Sequence, residues 1–204
     1  MTIDPQSLRG FIASVENANP ADVLRITEPV SQKLETTSIV FELDRMNKTP
    51  IVVFENVAGF DMPVVTNTAG SRDLLARCLK TTVSDLPTAF REKCQNYIAP
   101  EVVSRGAWDE IVLEGDQVDL TRLPIPYQFT VDAAPYITAG QVTARDPQTG
   151  VDTTGFHRLM LKGKNRLGIS LHSRRRMYEF HRRAEERGEA LPAAVVIGVH
   201  PLHY

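Results

Sequence analysis

The sequence predicts an α/β (α+β) N-terminal domain over residues 1–110, followed by a strand-rich unit over 111–204. Three observations predict it. Helical periodicities alternate with short apolar strand patterns through the first hundred residues. Alternating strands broken by turn signals fill "DEIVLEGDQVDLTRLPIPYQFTVDAAPYITAGQVTARDPQTGVDTTGFHRLMLKGKNRLGISLH". No apolar run approaches the roughly 20 residues that a membrane-spanning helix requires.

The elements follow in order. Over 6–17, Leu8, Phe11, Ile12 and Val15 recur at the spacing of one helical face. "VLRITEP" reads as a short strand, and a helix over 32–47 has Ile39, Leu43 and Met46 along one side. "TPIVVFENV" and "MPVVTNT" are strands joined through a turn around Gly59. "SRDLLARCLK" opens with Ser71 as N-cap, and "LPTAFREKCQNY" is a further helix. Leu123-Pro124-Ile125-Pro126 is extended, because each proline restricts the residue before it, and reads as a domain hinge. "DPQTG" and "KGKN" are hairpin turns. Ser173 caps a helix running to about Arg187, with Met177, His181 and Ala184 along one side and Gly188 placed to stop it. "AAVVIGV" then reads as a buried strand. The sequence stops a few residues later at "HPLHY", which reads as an interrupted domain.

Composition narrows the function. Lys and Arg total 23 against 25 Asp and Glu, and the pI of 6.2 disfavours a generic nucleic-acid binder. The start, "MTIDPQSLRGFIASVENANP", has early acids and no apolar h-region, so no secretory signal is read. Cys78 and Cys94 lack CxxC or zinc-site spacing and read as buried or half-buried thiols of a cytoplasmic protein.

Chemistry concentrates in residues 150–180, "GVDTTGFHRLMLKGKNRLGISLHSRRRMYEF". Arg158 shares a strand face with Phe156 and Met160. If that face is inward, the guanidinium needs an anionic partner; if outward, it is solvated, and the pattern leaves both open. His172 at a strand end could ligate a metal or meet a phosphate, or be a satisfied histidine. His157 falls on the face opposite Arg158 and reads as structural, and His181 as packing. Arg174, Arg175 and Arg176 crowd the start of a helix whose dipole is already positive there, which makes sense if an anion occupies that end. Glu179, Glu185 and Glu186 keep a solvated face open as the other reading. No GxGxxG, Walker or GxSxG pattern occurs.

The run from "LPIPYQFTVDAAPYITAGQVTARDPQTG" through "GFHR" and "GISLHS" to "PAAVVIGVHP" resembles the UbiD family of decarboxylases, over about eighty residues. The resemblance implies that 111–204 is the first part of a UbiD-type split β-barrel, related to flavin-reductase folds. That barrel holds prenylated FMN, with Mn2+ or Mg2+ at its phosphate and K+ nearby. Arg158 matches the arginine of the family's Glu-Arg-Glu catalytic network. Thr153, Thr154, Gly155, Phe156, Arg158, Ser170, Leu171, His172, Ser173 and Arg175 fall where the cofactor is bound, with Thr153 and His172 at the metal. Thr153 stands where the family has an asparagine, a stronger oxygen donor. The third metal ligand and both catalytic acids of the family would lie beyond Tyr204.

The activity implied is reversible, non-oxidative decarboxylation of an aromatic or α,β-unsaturated acid. It would be carried out as a subunit or N-terminal portion working with a complementary C-terminal polypeptide in a homo- or hetero-oligomer, with no nucleic acid or membrane partner. Two alternatives stand beside it: a non-catalytic flavin- or phosphate-binding or regulatory protein pairing with a full-length homologue, and a split-barrel flavin reductase.

Overall fold

Two stretches of unbroken apolar sequence set the first unit. The computed structural model describes residues 4–96, 98–99, 101–171 and 175–203. Helix α1 (Leu8–Ala18) is followed by strand β1 (Val23–Ile26), helix α2 (Glu35–Arg45), β2 (Ile51–Phe54), β3 (Val64–Thr66), α3 (Arg72–Cys78) and α4 (Leu86–Gln95). β1 pairs parallel with β2, and β2 pairs antiparallel with β3. A parallel neighbour requires a crossover, and α2 supplies it. All four residues of β2 are buried, because the sheet is covered on both faces. Ile51 and Val53 pack with Phe11, Ile12 and Val15 of α1 and Leu74 of α3. Val52 and Phe54 pack on the other side with Val30 and Val57, against Ile39 and Leu43 of α2. The period of 2 along one strand thus splits the unit into two half-cores.

Ser71 caps α3, its hydroxyl accepting the Leu74 N–H at 3.2 Å. Ser71→Ala is expected to cost about 1 kcal/mol, seen as a lower urea midpoint with an unchanged slope.

The second unit is one antiparallel sheet with the order β6-β5-β4-β7. Its strands are β4 (Tyr136–Arg145), β5 (Asp152–Gly163), β6 (Arg166–Ile169) and β7 (Ala193–Ile197), with α5 (Arg176–Glu186) between β6 and β7. Gly150 closes the β4–β5 turn at φ 71°, a backbone that glycine adopts without penalty. α5 covers one face through Met177, which joins Ile125, Ile137, Val142, Ala144 and Leu159 in a single core.

Several sequence expectations change. The sheet is open and is not closed into a barrel among the described residues. The expected buried strand, β7, is an edge strand with every residue exposed. The expected hinge is packed: Ile125 is 4% exposed, and Tyr127 exchanges backbone hydrogen bonds with Gln32 and Leu34 of the first unit. α5 begins later than expected, with Arg175 rather than Ser173 as N-cap; Ser173 lies outside the described residues. The buried stripe of α5 is Met177, Phe180 and Ala184, and His181 is exposed. Met46 and Cys94 are exposed as well. Cys78 is half-buried, and burial pushes its thiol above the ordinary range. No helix among the described residues is long and apolar enough to cross a membrane.

Candidate active site

The β4–β5 register sorts the candidate residues onto two faces. Directly opposed residues share a face. Thr143 opposes Thr154, Gln141 opposes Phe156 and Arg145 opposes Asp152. These pairs lie on the uncovered side of the sheet, where the Thr143 and Thr154 hydroxyls meet at 2.6 Å and Arg145 grips Asp152 through two nitrogens. That pairing holds the Asp152 carboxyl below the usual carboxylate range. Alternation places Arg158 on this same face. It is exposed, and its guanidinium has no hydrogen bond or ion pair among the described residues. Phe156 and Arg158 therefore share this face, as the strand period predicted, and the register adds Thr154 to them.

Thr153 is not brought to them. It opposes Ala144, which is 5% exposed, so its side chain belongs to the covered face with His157 and Leu159. Gly155 opposes Val142 on that face too. Leu171 packs against the second core. Ser170 continues the β5–β6 ladder, donating its N–H to the Arg158 carbonyl at 3.2 Å. His172 and Ser173, together with Arg174, lie outside the described residues.

A bulge in β4 lies beside Arg158. The register steps from Ile137↔Leu159 to Gly140↔His157, leaving Thr138 and Ala139 opposite the single residue Arg158. An extra residue of this kind bends a strand and re-aims its neighbours. Thr138 and Ala139 also line an apolar groove of about 400 Å3 between the two units, whose other walls include Val40, Val64, Leu123 and Ile125.

Charge along α5 divides sharply. Glu179 is held down to about 2 by hydrogen bonds from Arg182, then from Arg183. Arg182 also pairs with Glu186, and Arg183 with Asp146. Arg175 and Arg176, at the N-terminal end, are exposed and have no ion pair among the described residues. The expectation of a cationic helix start holds for these two, and the solvated, neutralised face is the helix's later part.

One residue in this region escaped the sequence reading. Asp146 opens the β4–β5 turn and is 1% exposed. It accepts from the Gln148 N–H, the Thr149 hydroxyl and Arg183. The local signal was present, since an aspartate two residues before a free N–H favours such a turn; its burial depends on Arg183, far along the chain. His157, read from the sequence as structural on the face opposite Arg158, is buried there.

Of the two expected metal ligands, Thr153 lies among the described residues and His172 outside them. The described residues contain no group of three His, Cys, Asp or Glu able to hold a metal, and Thr153 offers one neutral oxygen where such ions favour several hard oxygens.

The described residues form an α/β unit joined through a packed proline segment to a sheet with one open, cation-bearing face. Residues 18–94 match the 3-octaprenyl-4-hydroxybenzoate carboxy-lyase N-terminal domain, and residues 101–204 match the Rift-related domain of the same enzymes. The chain belongs to the UbiD family. Among curated relatives, the anhydromevalonate phosphate decarboxylase of Methanosarcina mazei is 38% identical over 181 residues, covering 88% of this chain and 40% of the relative. That of Methanothermobacter thermautotrophicus is 33% identical over 180 residues with the same coverage. Among solved structures, the UbiD-class enzyme HmfF from Pelotomaculum thermopropionicum, in complex with FMN, superposes with a TM-score of 0.87 at 33% identity, over 96% of this chain and 43% of that one. The vanillic acid decarboxylase ShVdcCD of Sedimentibacter hydroxybenzoicus, in closed form, gives a TM-score of 0.88 at 25% identity, over 98% and 44%. The chain spans about 40% of the length of the curated relatives it matches.

Proposed function

We propose that this chain is the flavin-holding N-terminal portion of a UbiD-type carboxy-lyase acting on an aromatic or α,β-unsaturated acid, completed by a complementary C-terminal polypeptide. The observation that carries the reading is Arg158: exposed, and unpaired among the described residues, on the open face beside Thr154 and the Phe156 strand position, while the opposite face is packed. Likeness to an FMN-bound UbiD-class enzyme and to aromatic-acid decarboxylases supports a flavin and an acid as the ligands.

The residues fit an anionic planar cofactor laid on the open face. Thr143 and Thr154 offer hydroxyls, and Arg175 and Arg176 at the start of α5 add positive charge to the helix dipole for a phosphate. When bound, prenylated FMN supplies the reactive carbon centre that takes up the electron pair left as CO2 departs. Arg158 holds the substrate carboxylate by a charge-assisted fork. The groove beside the β4 bulge buries the hydrocarbon body of the acid and keeps water from the reacting carbon. The proton that replaces CO2 comes from an acid on the complementary part.

The edge strand supports the need for completion. β7 carries Val195, Val196 and Ile197 at 40%, 45% and 55% exposure, with one side of its backbone unpaired in the sheet. Such an edge invites a further strand. The test is CO2 release from purified chain supplied with prenylated FMN, with and without a UbiD-type C-terminal polypeptide. Turnover is expected only with both parts. Robust release from residues 1–204 alone would refute the requirement.

A further inference from the structure

His157 is 7% exposed and lies on the face of β5 opposite Arg158. Its Nδ1 is 3.2 Å from the Ser170 carbonyl oxygen. A carbonyl only accepts, so Nδ1 carries the proton and donates. The regular β5–β6 ladder ends at the Leu159–Ile169 pair. Beyond it, two bonds hold the departing chain: Ser170 N–H to the Arg158 carbonyl, and His157 to the Ser170 carbonyl. The second comes from a side chain on the covered face, so it ties the strand end to the packed side of the sheet. On the far edge of the ring, Nε2 lies against Gly155, where an added Cβ would sit 3.5 Å away. The ring is thus lodged between the cofactor strand and the segment leading to α5.

We propose that His157 is a positioning residue: through its Nδ1–H bond to Ser170 it fixes the path by which residues 170–171 leave the sheet toward the cationic start of α5. It touches neither substrate nor cofactor and acts through Ser170. The reading of 170–175 as a flavin-contacting segment rests on the proposed function; the tether itself does not.

The experiment combines three readouts on the full chain. Long-range proton–nitrogen spectra of 15N-histidine protein report the tautomer, amide exchange reports the order of 168–171, and FMN titration reports affinity. His157→Phe fills the space without a donor, and His157→Asn restores an N–H near the Nδ1 position. The expected results are an Nδ1–H imidazole in the wild type, faster exchange at 168–171 in the Phe variant with β1–β3 unchanged, and FMN binding about tenfold weaker. The Asn variant is expected to recover affinity to within about threefold of wild type, as a retained hydrogen bond requires. An Nε2–H tautomer in the wild type overturns the proposal, and it needs no variant to fold. Exchange and affinity in the Phe variant equal to wild type overturn it as well. Wild-type protein that binds no FMN counts against the flavin reading, while tautomer and exchange still decide the tether.

Discussion

Arg158→Ala is expected to lower the decarboxylation rate of the completed enzyme by about 10²–10³-fold while leaving the chain's thermal midpoint essentially unchanged. The two halves of this expectation have separate causes. The guanidinium is exposed and unpaired among the described residues, so its removal leaves no buried group unsatisfied and opens no cavity. Surface changes of that kind rarely alter stability by more than about 0.5 kcal/mol. In the active complex the same side chain would be the only cation that β5 offers on the open face before Lys162. Arg158→Lys is expected to recover part of the rate, keeping the charge but losing the planar fork that matches a carboxylate. Steady-state kinetics of the reconstituted enzyme, paired with thermal melts of the chain, measure both. A rate within twofold of wild type in the Ala variant would remove Arg158 from the chemistry.

The second large effect is on folding. Asp146→Ala is expected to lower the thermal midpoint by on the order of 10 °C, well beyond what an exposed ion pair contributes. Asp146 is 1% exposed, whereas its partner Arg183 keeps about a third of its side chain in water. Deleting the carboxylate removes the shared acceptor of the Gln148 N–H and the Thr149 hydroxyl and leaves Arg183 with Glu179 alone. Asp146→Asn keeps an acceptor for the first two and is expected to fall between Ala and wild type. The Gln148 N–H, then the Thr149 hydroxyl and the Arg183 charge, hold the Asp146 carboxyl below its ordinary range against the opposing effect of burial. The depressed group therefore contributes stability that is fully present above the unfolded value near pH 4 and is lost as pH falls through the folded value. Below about pH 4 the wild type is expected to lose stability more steeply than Asp146→Asn. Parallel acid limbs would show that the carboxylate is not the anchor.

How much of this was legible in the sequence depended on whether the cause was local. The α1 face of Leu8, Phe11, Ile12 and Val15, the Ser71 cap and the Gly188 stop at φ 67° all follow from short-range spacing and backbone sterics, and all are present. The strand period correctly grouped Phe156, Arg158 and Met160. It could not say which face is covered, because that is decided by α5 packing on the other side through Met177. The same limit explains β7: "AAVVIGV" has the composition of a buried strand, yet its place at the end of the sheet order leaves it exposed. Met46 fits the α2 periodicity but falls after the last helical residue, where the chain turns outward. Within the candidate site, the shared face of Phe156 and Arg158 and the structural place of His157 opposite them were legible from the strand period. Asp146 was not, and neither was the bond of His157 to Ser170, because Arg183 and Ser170 are partners that only the fold brings near.

The proposed function has this UbiD-family chain hold flavin together with a complementary polypeptide. Native mass spectrometry of the protein purified from its own source tests it most directly, since one spectrum reports chain stoichiometry and bound flavin together. The expected spectrum shows an assembly in which the 22.7 kDa chain is joined by a second, different polypeptide and a flavin mass. A spectrum containing this chain alone, with neither partner nor flavin, would contradict it.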